Sequence, residues 1–179
     1  IIIQSTYATP ESATDNFMMV TTIADAAKRA SAKEIILVAP YHGFSRQERK
    51  DKPRTPITAK LIARFLETAG INRLITMDLH ADAIQGFYEI PVDNLYASYV
   101  FEQEIQKILK KDSLFASPDI GGTKRVGAYS EYFDRDFIIC YKRRKKPNQI
   151  DEIIKIVGNP KGKHIILIDD IIDTAGTIC

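Results

Sequence analysis

Short apolar runs alternate along this chain with stretches whose apolar residues recur every three or four positions. The runs at 34–39, 73–77 and 164–168 have the length and composition of buried strands. Helices are expected after Ser12, which can cap a helix together with Asp15, and again after residue 55. Because strands that alternate with helices form a mostly parallel sheet flanked by helices, the sequence predicts an α/β fold.

The helix expected after residue 55 carries its own start and stop signals. Thr55 is predicted to cap it, with Pro56 at the first helical position and Gly70 at its end. Its apolar residues at helical spacing are predicted to lie on one face, namely Ile57, Leu61, Phe65 and Ala69.

The alternating pattern loosens at residues 91–98, where we expect a domain boundary. The sequence therefore predicts two α/β domains, at 1–96 and 97–179, within a length that can bury two small cores. The chain begins inside a strand-like run and Cys179 directly follows a glycine-containing turn. We therefore expect it to be the central part of a longer protein.

Charge and cysteine content restrict the possible partners. A formal net charge of +2 gives no reason to expect nucleic acid or an anionic membrane. Cys140 and Cys179 do not form a disulfide framework, which is typical of a cytoplasmic protein. No run reaches the ~18 apolar residues of a membrane span. The bases cluster at 46–54 and 142–146, a distribution that suits a small polyanion.

The most informative motif is HIILIDDIIDTAGT, at residues 164–177. Four apolar residues place Asp169 and Asp170 at the end of a buried strand, where paired carboxylates can accept hydrogen bonds from adjacent sugar hydroxyls. The following loop of small residues lets backbone N–H groups approach a phosphate at a helix N-terminus. The alternative, a helix cap behind two surface acids, explains the end of the buried strand less well.

This motif resembles the ribose-5-phosphate signature shared by type I phosphoribosyltransferases and ribose-phosphate pyrophosphokinases. The resemblance implies that Asp169 and Asp170 hold the ribose 2- and 3-hydroxyls. It also implies that the 5-phosphate is held by Asp173, Thr174, Ala175, Gly176 and Thr177. The motif alone does not separate the two families.

A second motif, FSRQERKDKPRTP at residues 44–56, is dense in bases that could surround a triphosphate. From composition alone, a solvated charged loop is an equal alternative. The motif resembles the ATP-binding segment of ribose-phosphate pyrophosphokinases, which usually has aspartate where Glu48 stands. The resemblance implies that ATP is bound by Arg46, Gln47, Glu48, Arg49, Lys50 and Asp51, together with His80.

A third motif, TMDLHADAIQGFYEIPVD at residues 76–93, contains a candidate metal site. Asp78 and His80 follow a strand two residues apart, so in an extended segment both would point to one side, where they could bind a divalent ion. The motif is similar to the Mg²⁺ and nucleotide region of the pyrophosphokinases. That similarity adds Glu89 and Asp93 as ligands, although a carboxylate near a turn can simply be solvated.

Two further motifs lie in the second half of the chain. SPDIGGTKR, at residues 117–125, resembles the pyrophosphate-side loop and implies Asp119 as another metal ligand; an Asx-turn that caps the next helix is compatible with that role. YKRRKKP, at residues 141–147, reads by composition as a solvated face. In the family a similar run follows a strand and opens a catalytic loop, which implies that Lys142 and Arg144 neutralise the transferring phosphates.

Together the five motifs follow the family's order over nearly the whole chain. The resemblance implies two tandem type I phosphoribosyltransferase-like domains, the first binding ATP and the second ribose 5-phosphate. It implies transfer of the diphosphoryl group of Mg-ATP to the anomeric hydroxyl of ribose 5-phosphate, which gives phosphoribosyl pyrophosphate and AMP. It also implies a homo-oligomer, from dimer to hexamer.

Three alternatives compete with this interpretation. A type I phosphoribosyltransferase would not need the ATP segment or the run at 78–81. A catalytically silent regulatory subunit would not need Asp119, Lys142, Arg144 and the Asp169–Asp170 pair, although it stays open. A nucleic-acid-binding module would interleave aromatic residues with its basic runs, and this chain does not.

Overall fold

The computed structural model describes residues 1–8, 12–144 and 152–172, with the backbone alone described at 142–144 and 152–154. The chain divides into two compact units, Ile1–Ala97 and Ser98–Cys179. Each unit is built on a four-stranded sheet. The predicted α/β fold with mostly parallel sheets is therefore confirmed. In the described ranges, no helix is long and apolar enough to cross a membrane.

The first unit contains a fully parallel sheet in the order β1-β2-β3-β4. In the register, Leu37 pairs with Leu74 and Leu74 pairs with Val92. The short fourth strand was not predicted, because the boundary was placed there. The elements are β1 (Ile2–Ile3), α1 (Ala13–Arg29), β2 (Ile36–Ala39), α2 (Thr58–Ala69), β3 (Arg73–Met77), a 3₁₀ helix (Asp82–Phe87) and β4 (Val92–Leu95).

Helix α1 begins as the sequence predicts. The hydroxyl of Ser12 accepts a hydrogen bond from the backbone N–H of Asp15 at 3.1 Å and donates to the Asp15 carboxylate at 2.7 Å. This satisfies one of the N–H groups that the first turn of a helix leaves without a partner. The helix then buries Phe17, Val20 and Ala24 against the core.

Helix α2 ends as predicted but begins later. Gly70 adopts a left-handed backbone, with φ +108°, and its N–H closes the last turn. The prediction that Thr55 caps the helix is wrong, since the helix starts at Thr58 and Ile57 provides no side-chain cap. Thr55 instead donates its hydroxyl to the carbonyl of Lys52 at 2.8 Å, so it stabilises the preceding turn.

The buried face of α2 differs in part from the apolar stripe that the sequence shows at Ile57, Leu61, Phe65 and Ala69. Leu61 and Phe65 are 44% and 48% exposed, whereas Ile62 and Leu66 are buried together with two alanines of the neighbouring stripe. Both stripes are apolar, so helical spacing alone does not select between them. The small side chains of Ala59 and Ala63 let the helix approach its neighbours closely.

The second unit has the sheet order β7-β6-β5-β8, in which β5 pairs in parallel with both β6 and β8. Strand β5 is buried along its whole length, and Phe115 packs against Tyr129 and Phe133. The elements are α3 (Ser98–Ile108), β5 (Ser113–Ser117), α4 (Thr123–Phe133), β6 (Phe137–Arg144), β7 (Glu152–Val157) and β8 (His164–Leu167).

The basic run after Cys140 was expected to follow a strand, but its first residues lie within one. Residues 142–144 continue β6, which pairs in antiparallel fashion with β7. In that register Lys142 lies opposite Ile154 and Arg144 lies opposite Glu152. Strand β7 was not predicted, and its ladder is the physical reason why β6 extends into the basic residues.

Candidate functional site

Two loops of the first unit leave β2 and β3, which are parallel neighbours, at the same edge of their sheet. The carboxyl ends of parallel strands are where ligands bind in such sheets. Phe44 and Asp78 have left-handed backbones shortly after the two strands, with φ of +63° and +45°. A non-glycine residue in this conformation costs of order 1–3 kcal/mol and is concentrated at functional sites. Both loops therefore turn sharply as they leave the sheet.

The loop after β2 is fixed close to the segment that follows β1. The N–H of Gly43 donates to the hydroxyl of Thr6 at 2.6 Å. A Cβ at position 43 would come within 2.7 Å of the Thr6 carbonyl oxygen, so only glycine fits there. The same Thr6 hydroxyl donates to the carbonyl of Tyr41 at 3.2 Å.

The predicted ATP-binding residues emerge from this fixed loop. The carbonyl of Gln47 accepts a hydrogen bond from the N–H of Ala59 at 3.2 Å, and its side chain accepts one from the Thr58 hydroxyl. The backbone at 46–47 is thus attached to the first turn of α2. The side chains of Arg46 and Gln47 are exposed, and they extend from a backbone that hydrogen bonds attach to α2.

The charges of this loop are partly paired with one another. Arg49 lies 3.4 Å from Glu48 and 3.3 Å from Asp51. Because the Arg49 side chain is 75% exposed, ion pairs of this kind contribute only about 0–1 kcal/mol. An anionic ligand could therefore take over the guanidinium at little cost, while the two acids would limit how much negative charge the loop attracts.

The loop after β3 is tied to β4 and its surroundings. The N–H of Asp78 donates to the carbonyl of Leu95 at 2.9 Å, and its carboxylate accepts from the N–H of Ala97 at 3.3 Å. His80 is exposed. The segment bends at Asp78 instead of continuing as an extended strand. The prediction that Asp78 and His80 point to one side assumed an extended segment, so it does not apply here. The argument that remains for a joint role is that the two residues are close in sequence.

Asp93 lies apart from this edge of the sheet. It pairs with Ile75 in the register, three residues before Asp78, which is roughly 10 Å along the strand. Both of its carboxylate oxygens accept hydrogen bonds from Arg73, at 2.7 and 3.1 Å. These contacts with Arg73 lower the pKa of the Asp93 carboxyl. Asp93 thus acts as a partner of Arg73, and we omit it from the proposed metal site.

Glu89 is held at a different place again. Its backbone N–H donates to the carboxylate of Glu67, near the end of α2, at 2.6 Å. The four predicted ligands of this unit are therefore not gathered at one point. Within residues 1–8, 12–144 and 152–172, no group of three or more His, Cys, Asp or Glu side chains has metal-binding geometry.

In the second unit, the predicted acids lie beyond the ends of the paired strands β5 and β8. Asp119 follows β5, and its carboxylate accepts a hydrogen bond from the N–H of Gly122 at 3.0 Å. The Ser117 hydroxyl donates to the carbonyl of Asp119 at 2.6 Å. A Cβ at Gly122 would lie 2.5 Å from that hydroxyl oxygen. The loop that carries Asp119 is therefore tightly built.

The carboxylate of Asp169 is repelled by both Asp170 and Asp119. Burial, followed by the neighbouring carboxylates of Asp170 and Asp119, raises the pKa of Asp169 to about 6. Such a concentration of acids favours a ligand that supplies hydroxyl donors or positive charge. Mg²⁺ meets this need, because it is usually held by one or two carboxylates together with water and phosphate oxygens. The donor set therefore fits Mg²⁺, without a complete protein cage.

Arg125 completes this cluster and was not assigned a role from the sequence. Its guanidinium lies 3.5 Å from the carboxylate of Asp170, and both side chains are largely buried. Arg125 stands in the first turn of α4, soon after Gly121 and Gly122. A basic residue at this position of the glycine-containing motif was the sequence signal that could have pointed to its role. Arg125 offsets one of the negative charges of the cluster.

Some predicted site residues fall beyond what the structure describes. The phosphate-loop residues Asp173, Thr174, Ala175, Gly176 and Thr177 lie outside the described residues. The side chains of Lys142 and Arg144 are likewise outside the description, although their backbone belongs to β6. The roles of all seven stay predictions.

Two families of domains match this chain. A model of the N-terminal domain of ribose phosphate pyrophosphokinase matches residues 1–70. A model of the phosphoribosyl transferase domain matches residues 93–179. Together with the two sheets described above, these matches define two phosphoribosyltransferase-like units in tandem.

Known proteins resemble the chain over both units. It is 53% identical over 178 residues to a ribose-phosphate pyrophosphokinase of Porphyromonas gingivalis, covering 99% of this chain and 55% of the relative. It is 49% identical over 164 residues to ribose-phosphate pyrophosphokinase A of Dictyostelium discoideum, covering 92% of this chain and 51% of the relative. The crystal structure of phosphoribosylpyrophosphate synthetase from Mycobacterium smegmatis matches with a TM-score of 0.82 and 35% identity, over 90% of this chain and 52% of that chain.

The chain belongs to the ribose-phosphate pyrophosphokinase family. It spans about half the length of the curated relatives that it matches.

Proposed function

We propose that this protein transfers the diphosphoryl group of Mg-ATP to the anomeric hydroxyl of ribose 5-phosphate. The products are phosphoribosyl pyrophosphate and AMP. The observation that carries the proposal is the combination, in one chain, of a basic loop that is hydrogen-bonded to α2 in the first unit with the acid cluster of Asp119, Asp169 and Asp170 in the second. The names and coverage of the relatives support it.

In the second unit, Asp169 and Asp170 are proposed to accept hydrogen bonds from the 2- and 3-hydroxyls of the sugar. Two adjacent carboxylates match two adjacent hydroxyl donors, and hydrogen bonds to ionised acceptors are the stronger kind. Sugar hydroxyls would also stabilise the ionised form of Asp169, whose pKa is raised to about 6 in their absence. The loop at 173–177 is proposed to hold the 5-phosphate.

In the first unit, the loop after β2 is proposed to hold the triphosphate of ATP, and the exposed His80 to contact the nucleotide. The proposed ATP-binding residues are Arg46, Gln47, Glu48, Arg49, Lys50, Asp51 and His80. Guanidinium groups are suited to this role because they bind phosphate oxygens through two parallel N–H donors.

Mg²⁺ is proposed to be held by Asp119 in the second unit and by Asp78 and His80 in the first, with Glu89 as a further candidate. When bound, it supplies charge neutralisation at the phosphate oxygens. This chain's own cations, Lys142 and Arg144, are proposed to add to that neutralisation from β6.

In the proposed reaction, the anomeric oxygen forms a bond to the β-phosphorus of ATP. The bond from that phosphorus to the oxygen shared with the α-phosphate breaks, and AMP leaves. The proton of the anomeric hydroxyl passes to water. Such a transfer depends on alignment and charge neutralisation more than on a protein nucleophile, which suits the residue types present. We also propose a cytoplasmic homo-oligomer, in the range from dimer to hexamer.

The test is AMP release from ATP and Mg²⁺, measured with and without ribose 5-phosphate. We expect AMP release that depends on the sugar phosphate in the wild type and a loss of at least a hundredfold in Asp169→Asn. Asp112→Asn is the matched control, because Asp112 is an exposed acid that precedes β5, at the other end of that strand. A protein that binds ribose 5-phosphate yet releases no AMP would instead be the silent regulatory subunit.

A further inference from the structure

A buried chain of polar side chains lies beneath the loop that follows β2. His42, Ser45 and Tyr88 are only 6%, 4% and 7% exposed. The Nδ1 atom of His42 lies 2.8 Å from the Ser45 hydroxyl, and Nε2 lies 2.5 Å from the Tyr88 hydroxyl. The rings of His42 and Tyr88 meet edge to face, with centroids 6.0 Å apart. The proposed reaction uses none of these three residues.

The positions of the protons follow from counting donors. The Ser45 hydroxyl donates its single proton to the backbone carbonyl of His42, at 2.8 Å. It can therefore only accept from the ring, so Nδ1 carries the imidazole proton. Nε2 is then a lone-pair acceptor, and the Tyr88 hydroxyl donates to it. Every member of the chain is satisfied when the imidazole is neutral, which is the arrangement that a buried polar network requires.

The chain of hydrogen bonds joins two parts of the first unit. Ser45 directly precedes Arg46 and Gln47, the first residues of the proposed ATP-binding set. Tyr88 follows the 3₁₀ helix that comes after Asp78 and His80. The Lys60 ammonium of α2 adds a second attachment by donating to the carbonyl of Phe87, at the end of the same 3₁₀ helix.

We propose that His42 is a positioning residue for the nucleotide. Its neutral imidazole, protonated at Nδ1, holds the turn at Ser45 to Tyr88, so the loop that displays Arg46 and Gln47 keeps the geometry that binds ATP. This inference rests on the proposed ATP site and adds to it a residue that does not touch the ligand. Burial keeps the ring neutral by lowering the pKa of His42 to about 4. The competing view is a histidine that only fills the core.

The first experiment reads the tautomer directly. Imidazole ¹⁵N chemical shifts of the purified protein, assigned with the His42→Phe variant, distinguish a protonated Nδ1 from a protonated Nε2. We expect the Nδ1–H tautomer at pH 7.5 in the wild type. In Tyr88→Phe we expect the Nε2 signal to shift, because its donor is removed. A ring protonated at Nε2 in the wild type would overturn the proton assignment and with it the proposal.

The second experiment measures binding of Mg-ATP by calorimetry and the Michaelis constants of both substrates. Tyr88→Phe should weaken Mg-ATP binding about three- to tenfold, because Nε2 of His42 loses its buried donor and the loop after β2 loses a contact that holds its binding geometry. The Michaelis constant for ribose 5-phosphate should stay within twofold. Tyr41→Phe, in the same loop, is the matched control and should leave Mg-ATP binding unchanged.

A double variant separates positioning from stability. His42→Phe with Tyr88→Phe replaces both polar partners by rings of similar shape, a change that can be nearly neutral for folding. We expect its melting temperature to recover relative to Tyr88→Phe, while Mg-ATP binding stays weak. If binding recovers together with stability, His42 only fills the core.

The outcomes also separate this inference from the proposed reaction. If the wild type binds Mg-ATP but releases no AMP with ribose 5-phosphate, the proposed reaction fails and the binding comparison still decides the role of His42. If the wild type does not bind Mg-ATP, there is nothing for His42 to position and the inference falls.

Discussion

Arg73 and Asp93 form a two-point ion pair across the neighbouring strands β3 and β4, with both carboxylate oxygens bound to one guanidinium. Both oxygens of an acid that the family resemblance associates with Mg²⁺ are thus engaged by Arg73, and we expect Asp93 not to take part in metal binding. The guanidinium occupies the oxygens that a metal would need.

We predict that Asp93→Asn leaves the Mg²⁺ dependence of AMP release within twofold of the wild type. The substitution removes the charge while keeping the shape, so it affects the ion pair and lowers stability only slightly. Asp119→Asn is the comparison and should raise the Mg²⁺ requirement at least tenfold. A loss in Asp93→Asn as large as that in Asp119→Asn would return Asp93 to the list of ligands.

The buried His42 predicts how the stability of the first unit depends on pH. Burial lowers the pKa of His42 from 6.5 to about 4 in the folded state. The unfolded chain therefore binds the proton more readily, and stability is lost as the pH falls from about 6.5 toward 4, by roughly 3 kcal/mol in total.

Denaturant unfolding of the wild type between pH 7.5 and pH 4.5 tests this dependence. The His42→Phe variant has no proton to gain at this position. The difference in unfolding free energy between this variant and the wild type should therefore narrow as the pH falls. Tyr41→Phe changes no group that titrates between pH 4.5 and pH 7.5, so it is the control and should keep the wild-type slope. Parallel pH profiles for the wild type and His42→Phe would contradict the prediction.

The acid cluster predicts that Asp169→Asn makes the protein more stable but less able to bind ribose 5-phosphate. Folding raises the pKa of Asp169 from 3.8 to about 6, so above pH 6 the folded state carries an unfavourable ionised carboxylate. Asp169→Asn should therefore raise the melting temperature at pH 8. The gain is on the order of 1 kcal/mol or less, because solvent screens this partly exposed group.

At low pH the stability gain of Asp169→Asn disappears, but it does not become a loss. As the pH falls from 6 toward 4, Asp169 becomes protonated in the folded wild type and the advantage of asparagine disappears. Binding of ribose 5-phosphate, followed by calorimetry at pH 8, should be lost in the same variant. A variant that is less stable than the wild type at pH 8 would refute the prediction.

Two glycines near α4 give opposite predictions for the same substitution. Gly122→Ala places a methyl group 2.5 Å from the Ser117 hydroxyl oxygen and should destabilise the second unit by about 1–3 kcal/mol, as overpacking does. Gly127→Ala meets no atom within 4 Å and lies inside the helix, so it should stabilise by about 0.5–1 kcal/mol.

Thermal unfolding of the two variants checks this pair. Adding Ser117→Ala to Gly122→Ala removes the clashing oxygen and should restore part of the loss. The double variant also loses the hydrogen bond from Ser117 to Asp119, so sugar-dependent AMP release should not recover with stability. If Gly122→Ala alone were neutral, the tight packing of the Asp119 loop would be disproved.

Two local signals in the sequence, Ser12 and Gly70, predicted the ends of helices correctly, whereas Thr55 did not. Ser12 and Gly70 act through hydrogen bonds within one helical turn, so a few neighbouring residues suffice to recognise them. The inward face of α2 could not be chosen in this way, because Leu61 and Ile62 belong to two apolar stripes of equal quality. Which stripe is buried depends on where the sheet lies.

Contacts between distant residues were beyond the reach of the sequence. His42 and Tyr88 are 46 positions apart, and the residues next to each of them in sequence give no sign of the contact. Arg73 and Asp93 are 20 positions apart, so the motif around Asp93 gave no sign that its carboxylate is already occupied. The family resemblance supplied the roles of the motifs, and the structure supplied the partners.

The order of strands in the second sheet affects how the protein can fold while the ribosome is still synthesising it. In the first sheet each strand joins the one made just before it, so that sheet can grow as the chain emerges. In the second, β8 returns past two strands to join β5, and Ser113 meets His164 across 51 positions. Asp119 is therefore synthesised about fifty residues before Asp169. A ribosome that pauses before β8 would hold a chain in which residues 1–97 have been made while the proposed sugar site still lacks Asp169 and Asp170.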